Sequence, residues 1–267
     1  MYWVNGERTK QLELSDRSFQ YGDGCFTTMQ TRDGQIDLFE QHQQRVDACL
    51  AVLAMPALDW TKVKIWLDKA VSSSSLAGIK LHISRGQGGR GYSFKGVGSP
   101  VVTISAFEYP QHYLSWQHSG VKLGVCQQRL GLVPMLAGHK HNNRLEQVLL
   151  KAEMDQQGEV DGIVLDINHH VIETTMANIF WTCGNILYTP ALDQSGVAGV
   201  MRKQVLKKAD LLGLIVKEGQ YTFEHLLDSE EVFMTNSILG VAPITAIQTS
   251  YYSIGPHTKA LQGILNS

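Results

Sequence analysis

Strand-forming runs in this chain are joined by turns too short to hold a crossover helix, and this restricts the folds open to it. Tyr2-Trp3-Val4 leads into Asn5-Gly6, and Cys25–Thr31 leads into Asp33-Gly34 with Ile36-Asp37-Leu38 beyond. Asx-Gly readily takes the positive-φ conformations that two-residue hairpin turns require, so both segments are expected to be antiparallel hairpins. The period then changes. Phe39, Val46, Cys49, Leu50 and Leu53 recur at helical spacing before Pro56, and a second helical stretch passes through Val63, Ile65, Trp66 and Ala70 into Ser72–Ser75. Strands resume at Ile79–Ser84 and Val101–Phe107, on either side of the glycine-dense loop Arg85-Gly86-Gln87-Gly88-Gly89-Arg90-Gly91-Tyr92.

These elements make a first α+β domain over residues 1–110, an ordinary domain size. Apolar periodicity lapses across Tyr109–Ser119 and resumes at Val121, so residues 111–119 are expected to be a linker and 120–267 a second domain. There, Val121–Cys126 and Gly162–Asp166 read as strands, Asn178–Thr182 and Ile186–Tyr188 as a hairpin around Cys183-Gly184, and Glu231–Thr235 as another strand. Helices are expected at Arg144–Met154, Arg202–Leu212 and His257–Leu265. Strands outnumber crossover helices and several adjoin by short turns, which argues for a mixed, largely antiparallel sheet or barrel rather than a doubly wound parallel sheet. The expected class is α+β in two domains: a smaller α/β N-terminal domain and a larger C-terminal one built on a mixed, barrel-like sheet.

Composition narrows the partners. With 23 basic and 25 acidic residues the net charge is −2, so no diffuse field attracts a polyanion and no nucleic acid partner is expected. An anionic ligand must be caught by locally placed groups. No run of 18 or more apolar residues occurs and the first ten residues turn polar at once, so neither a membrane span nor a signal peptide is expected and the protein should be cytoplasmic. Cys25, Cys49, Cys126 and Cys183 form no C-x-x-C pair and read as reduced, mostly buried thiols.

Four segments carry candidate chemistry. The glycine-rich loop lacks the Gly-Lys-Ser/Thr of a phosphate loop and does not open a helix, so it reads either as a plain connection or as a substrate loop. In the second reading, Arg85 and Arg90 would bind a carboxylate in bidentate fashion, with Tyr92 beside them. Gly138-His139-Lys140-His141-Asn142-Asn143-Arg144 precedes a predicted helix. Lys140 could be a solvated surface residue, or an amine of lowered pKa that forms a Schiff base with an aldehyde cofactor. Glu173 ends an apolar strand, where it is either an exposed carboxylate or one that keeps a heterocyclic nitrogen protonated. Gly196–Arg202, leading into a helix, and Thr235-Asn236-Ser237, after a strand, offer N–H groups and hydroxyls to an anion. A different class stays open: a metal-binding non-enzyme using His139, His141, His169 and His170.

The order Arg45, Lys140, Glu173, Gly199–Arg202, Thr235–Ser237 resembles that of the fold-type IV pyridoxal-phosphate enzymes, the family of branched-chain and D-amino acid aminotransferases. Tyr21-Gly22-Asp23-Gly24-Cys25-Phe26-Thr27-Thr28 looks like the family's opening motif, and His42-x-x-Arg45 resembles the helix motif whose arginine reaches the cofactor phosphate. Within the family, Arg85–Tyr92 and Lys140-His141-x-Asn143-Arg144-Leu145-Glu146-Gln147 are similar to the lyase branch, which takes pyruvate off an aminated chorismate and leaves 4-aminobenzoate. The resemblance implies pyridoxal 5'-phosphate on Lys140, a small-molecule substrate and a homodimer. It gives the pyridine nitrogen to Glu173 and the phosphate to Arg45, Ser237 and the backbone of Val200 and Met201. Arg90, Tyr92, Asn236 and Thr28 become candidates for the substrate, and Thr28 or Lys140 for protonating the departing oxygen. The chain departs from the aminotransferases in having Thr27-Thr28 where Glu-Gly or Glu-Thr is common, and Asn236 where glycine is frequent. An aminotransferase of the same fold is the runner-up.

Overall fold

A computed structural model describes residues 1–266, which divide into two compact units. The first comprises Met1–Tyr109 together with His139–Asn143. In chain order it contains β1 (Tyr2–Val4), β2 (Glu7–Arg8), α1 (Arg17–Tyr21), β3 (Gly24–Arg32), β4 (Gln35–Ile36), α2 (Phe39–Val52), α3 (Trp60–Ala70), β5 (Leu76–Ser84) and β6 (Val101–Glu108). Its six strands form one sheet in the order β2-β1-β6-β5-β3-β4, every pair antiparallel. Both Asx-Gly turns lie where the sequence predicts hairpins, with Asn5 and Asp33 at positive φ.

The sheet's two faces follow from the period of two along its strands. Cys25 and Met29 of β3, Ile79, Leu81 and Ile83 of β5, and Val102 and Ile104 of β6 are buried against Val46, Cys49 and Leu50 of α2 and Val63 and Leu67 of α3. Each such side chain, Met29 and Leu67 being fully enclosed, contributes about 1.5–3 kcal/mol. The alternate residues Phe26, Thr28, Lys80, His82, Thr103 and Ser105 are half-buried on the other face. Register places Phe26 opposite His82 and Thr28 opposite Lys80.

The second unit comprises Pro110–Gly138 and the chain from Arg144 onward. It contains α4 (His112–Ser119), β7 (Val121–Val125), α5 (Leu145–Gln157), β8 (Gly162–Leu165), β9 (Val171–Thr174), β10 (Asn178–Cys183), β11 (Ile186–Pro190), α6 (Val200–Ala209), β12 (Ile215–Gly219), α7 (Phe223–Leu227), β13 (Glu231–Asn236), β14 (Gly240–Ile247), β15 (Ser250–Tyr251) and α8 (Pro256–Leu265). Nine strands form a mixed sheet, with the path β12-β11-β10-β13-β14-β7-β8-β9 and β15 beside β14. The pairs β11/β12, β14/β7 and β7/β8 are parallel and the rest antiparallel, so the expected mixed α+β architecture is present; both sheets curl into half-barrels. Phe180 and Phe233 stack at 5.1 Å beneath Val205 of α6 and Leu261 of α8, while Trp181, Ile179 and Met234 line a second core.

Within residues 111–119, expected as a linker, His112–Ser119 form α4, with Gln111 at its N-cap. The four cysteines are free, and all but Cys183 are buried. No helix among the described residues is long and apolar enough to cross a membrane.

Candidate active site

In the first unit, residues 139–143 lie along the edge of β3. The Phe26 N–H donates to the Lys140 carbonyl at 3.0 Å and the Asn142 N–H to the Gly24 carbonyl at 2.9 Å, closing an antiparallel bridge between Cys25 and His141. The Asn142 amide then donates to Ser18 Oγ at 2.8 Å and to the Ile83 carbonyl at 3.0 Å. Lys140 thus projects from a segment pinned at both ends. Its Nζ lies 4.6 Å from the centre of the Phe26 ring, and Lys80 Nζ lies 4.4 Å from the same centre. Burial lowers the Lys80 pKa. Thr28 stands two residues along β3, on the face that carries Phe26.

Arg45 is buried beneath the other face of β3. Its Nη2 donates to Thr27 Oγ1, and that hydroxyl is 2.6 Å from His42 Nδ1. Burial, and then the Arg45 charge, hold His42 well below the usual histidine range, so its neutral Nδ1 accepts the Thr27 proton. Burial also brings Arg45 down to about 10. Its Nε is enclosed without a hydrogen-bond partner, and no carboxylate pairs with it among the described residues. Buried charges are otherwise paired, so this guanidinium suits a phosphate or another anion.

The glycine-rich loop is built differently from the sequence expectation. Arg85 is 6% exposed and fully engaged: Nε donates to Asp23 Oδ2 at 2.8 Å, Nη1 to Ala54 O at 3.1 Å and Nη2 to Leu53 O at 2.6 Å. It therefore cannot be half of a ligand-binding arginine pair; an inward turn of the backbone has committed it to the fold. Arg90 and Tyr92 stand exposed, Tyr92 at 90%. Sequence reasoning missed Arg17 and Asp23. Arg17 Nε donates to Asp23 Oδ2 at 2.8 Å, so one carboxylate joins two buried guanidiniums. Burial works to raise the Asp23 pKa, but hydrogen bonds from Arg85 and Arg17 outweigh it and hold the carboxyl below its ordinary value. The available signal was an acid inside Gly22-Asp23-Gly24 with no other evident task.

In the second unit, Glu173 lies near the end of β9 and is 6% exposed, with Oε2 accepting the Val197 N–H at 3.1 Å. Asn178 of β10 grips the same turn, its Nδ2 donating to Val197 O at 2.7 Å and its Oδ1 accepting the Gly199 N–H at 3.1 Å. Gly199 caps α6 with no side-chain acceptor, and Val200 and Met201 open the helix, where N–H groups lack intrahelical partners. A buried carboxylate and a helix start suited to an anion are therefore tied to one loop. Asn178, a third residue that sequence reasoning did not single out, makes that tie. Asn236 uses Oδ1 to accept the N–H groups of Ile238 and Leu239, at 2.9 and 2.8 Å, and Nδ2 to reach Met176 O at 3.4 Å. Its amide shapes the turn that presents Ser237.

His139 and His141 belong to the first unit and His169 and His170 to the second, and no cluster of metal-ligating side chains occurs among the described residues.

In the first unit, a buried guanidinium with no carboxylate partner among the described residues suits an anion, and a lysine is pinned beside an aromatic ring; in the second, a buried carboxylate is linked to a helix start that also suits an anion. The chain belongs to the class IV aminotransferase family, whose profile matches residues 24–247. It is 52% identical to aminodeoxychorismate lyase of Vibrio harveyi over the whole of both chains. Its fold matches the crystal structure of 4-amino-4-deoxychorismate lyase from Pseudomonas aeruginosa with a TM-score of 0.93 and 34% identity, covering 99% of this chain and 97% of that one. A hypothetical aminotransferase from Mycobacterium tuberculosis in its PLP-bound form shares the fold at a TM-score of 0.86 and 18% identity, over 99% and 96% of the two chains.

Proposed function

We propose that this protein is a pyridoxal-phosphate-dependent lyase that converts 4-amino-4-deoxychorismate to 4-aminobenzoate and pyruvate, a step of folate synthesis. The observation that carries the reading is the full-length 52% identity to the Vibrio harveyi lyase. The phosphate is assigned to Arg45, Ser237 and the N–H groups of Val200 and Met201, because buried Arg45 lacks a counter-ion and α6 opens without a side-chain cap. Bound, pyridoxal phosphate supplies an aldehyde carbon that captures the substrate's amine and a ring that takes up electrons from the carbon beside it.

Lys140 holds the cofactor and then takes the proton from the substrate carbon that bears the amino group. Glu173 keeps a proton on the pyridine nitrogen, and its bond from the Val197 N–H fixes the carboxylate's direction. Thr28 or Lys140 returns a proton to the ether oxygen as pyruvate departs, and the ring left behind is aromatic. The substrate's carboxylates fall to Arg90 and Tyr92, exposed on the glycine loop, and to the turn that Asn236 builds. We further propose a cytoplasmic homodimer. Leu145, Val148 and Leu149 line one face of α5 at 70%, 59% and 48% exposure, the kind of patch that a second copy covers. Sedimentation should give twice the chain mass, and Val148→Asp should shift it to the monomer.

The decisive assay incubates the purified holoenzyme with aminodeoxychorismate and follows 4-aminobenzoate by fluorescence and pyruvate by a coupled dehydrogenase. Both should appear in equal amounts, and Lys140→Ala should abolish both together with borohydride trapping of the cofactor. A pyridoxyl group mapped to Lys80 or Lys203 would move the site. Transfer of the amino group to a 2-oxo acid without release of an aromatic amine would establish the aminotransferase reading instead.

A further inference from the structure

The segment from Gly86 to Gly98 contains six glycines, and Gly86, Gly88, Gly89, Gly91 and Gly96 have positive φ. Such a segment is entropically costly to hold in one shape. It is nevertheless fastened from beneath by one side chain. Arg17, 3% exposed at the start of α1, points its guanidinium into the loop: Nη1 lies 3.4 Å from Gly88 O, 3.1 Å from Gly91 O and 3.2 Å from Ser93 O, and Nη2 lies 3.3 Å from Tyr92 O. Its Nε is held by Asp23, which Arg85 also holds, and Arg85 in turn stacks on Phe94 at 4.2 Å. The base of the loop is sewn on as well, the Arg17 N–H donating to Gly86 O at 2.9 Å. Tyr21, under the Arg17 guanidinium at 5.0 Å, meets the Tyr92 ring edge-on at 5.8 Å.

We infer that Arg17, aligned by Asp23 and Arg85, is a positioning residue for substrate recognition: it fixes the backbone that presents Arg90 and Tyr92. The inference rests on the lyase reading and adds to it the device that makes an exposed arginine a fixed one. A planar guanidinium can serve several carbonyls at once, whereas a lysine ammonium lacks that fork. Holding a recognition loop in its bound shape before substrate arrives lowers the ordering cost of binding and leaves the chemical step alone.

The test uses the full-length holoenzyme carrying Arg17→Gln. Asp23 keeps Arg85 as its partner in this variant, so no buried carboxylate is stranded. Trypsin cleavage after Arg90, read by mass spectrometry, should accelerate about tenfold or more as the loop opens locally. KM for aminodeoxychorismate should rise about tenfold, with kcat and cofactor absorbance within about twofold of wild type. Arg17→Lys should fall between the two proteins on both measures. If Arg17→Gln does not fold, Gly89→Ala replaces it: a Cβ there would sit 2.3 Å from Ser93 O and 3.0 Å from Arg17 Nη1 at φ +74, parting the guanidinium from the loop carbonyls it holds, and the same faster cleavage and KM-selective loss are expected. Unchanged cleavage, faster cleavage with unchanged KM, or a fall in kcat at constant KM each overturns the proposal. A wild-type protein that releases no 4-aminobenzoate defeats the lyase reading instead, and the cleavage measurement still reports whether Arg17 holds the loop.

Discussion

In the proposed lyase, Glu173 has two tasks: its Oε2 anchors the Val197 N–H at 3.1 Å, and the role proposed for it is to supply the negative charge that a protonated ring nitrogen needs opposite it. Glu173→Gln separates the two tasks. The amide oxygen still accepts the Val197 N–H, so the loop and the bound cofactor should persist, while the charge that keeps the pyridine nitrogen protonated is gone. We expect kcat to fall by about 10²–10³ with cofactor absorbance retained, in keeping with the loss of a pre-placed electrostatic partner; steady-state kinetics beside a spectrum of the dialysed variant decide it, and wild-type turnover would leave Glu173 a purely structural strand-end residue. Lys140, Glu173 and Arg45 stand out in the sequence because their types and order resemble a known arrangement. Arg17 was not, since its partners Gly88 to Ser93 lie some seventy positions away and are backbone carbonyls, which leave no trace in residue identity. Arg85 and Arg90 look alike in the sequence, five positions apart on one loop. Only the fold, by turning one onto Asp23 and leaving the other exposed, distinguishes them.

At the scale of elements, α6 is set by its approach rather than by its own sequence. Gly199 has φ −64, which any residue can adopt, so the requirement for glycine there comes from contact: a Cβ would lie 2.3 Å from Asn178 Oδ1. Gly199→Ala should push Asn178 off the loop, loosening the helix start and the Val197 carbonyl together. A destabilisation of about 1–3 kcal/mol is expected from such overpacking, along with weaker retention of cofactor on dialysis, read by thermal melts with and without added pyridoxal phosphate. A melt matching wild type in both conditions would mean that Asn178 does not clamp the turn. The hairpins and α2 were legible because Asx-Gly turns and a clear change of period mark them. β14 was not, because Pro243 sits within it and proline argues against a central strand; it pairs with Phe233 in a sheet that tolerates it. α4 buries none of its residues completely, so no apolar stripe betrayed it. β12 and α7 are five residues each, the first mostly exposed and the second mostly half-buried, below what periodicity can resolve.

For the whole molecule, acid stability is where the buried polar groups act together. Burial, and then the nearby Lys80 charge, bring His82 down to about 4, and burial holds His42 well below 6.5. An unfolded chain protonates both near pH 6.5 while the folded one does not, so the unfolded state binds more protons as the pH falls and stability declines with it. The contribution is fully present above pH 6.5 and is lost progressively toward the folded value; for His82, complete loss corresponds to about 3 kcal/mol. Asp161 works in the opposite sense, because burial raises its folded pKa and the folded state then takes up a proton before the unfolded one does. The comparison that isolates the histidine is therefore between proteins, not along one curve. His82→Gln keeps a group able to meet Ser18 Oγ, which His82 Nε2 approaches at 3.1 Å, and removes the titration. The wild-type holoenzyme should lose melting temperature steadily between pH 6.5 and 4.5, whereas His82→Gln should lose clearly less over the same interval and match wild type above pH 7. Parallel curves for the two proteins would show that His82 takes up its proton in the folded state, and that the polar face of the first sheet, with Phe26, Thr28 and Lys80, admits water to that histidine.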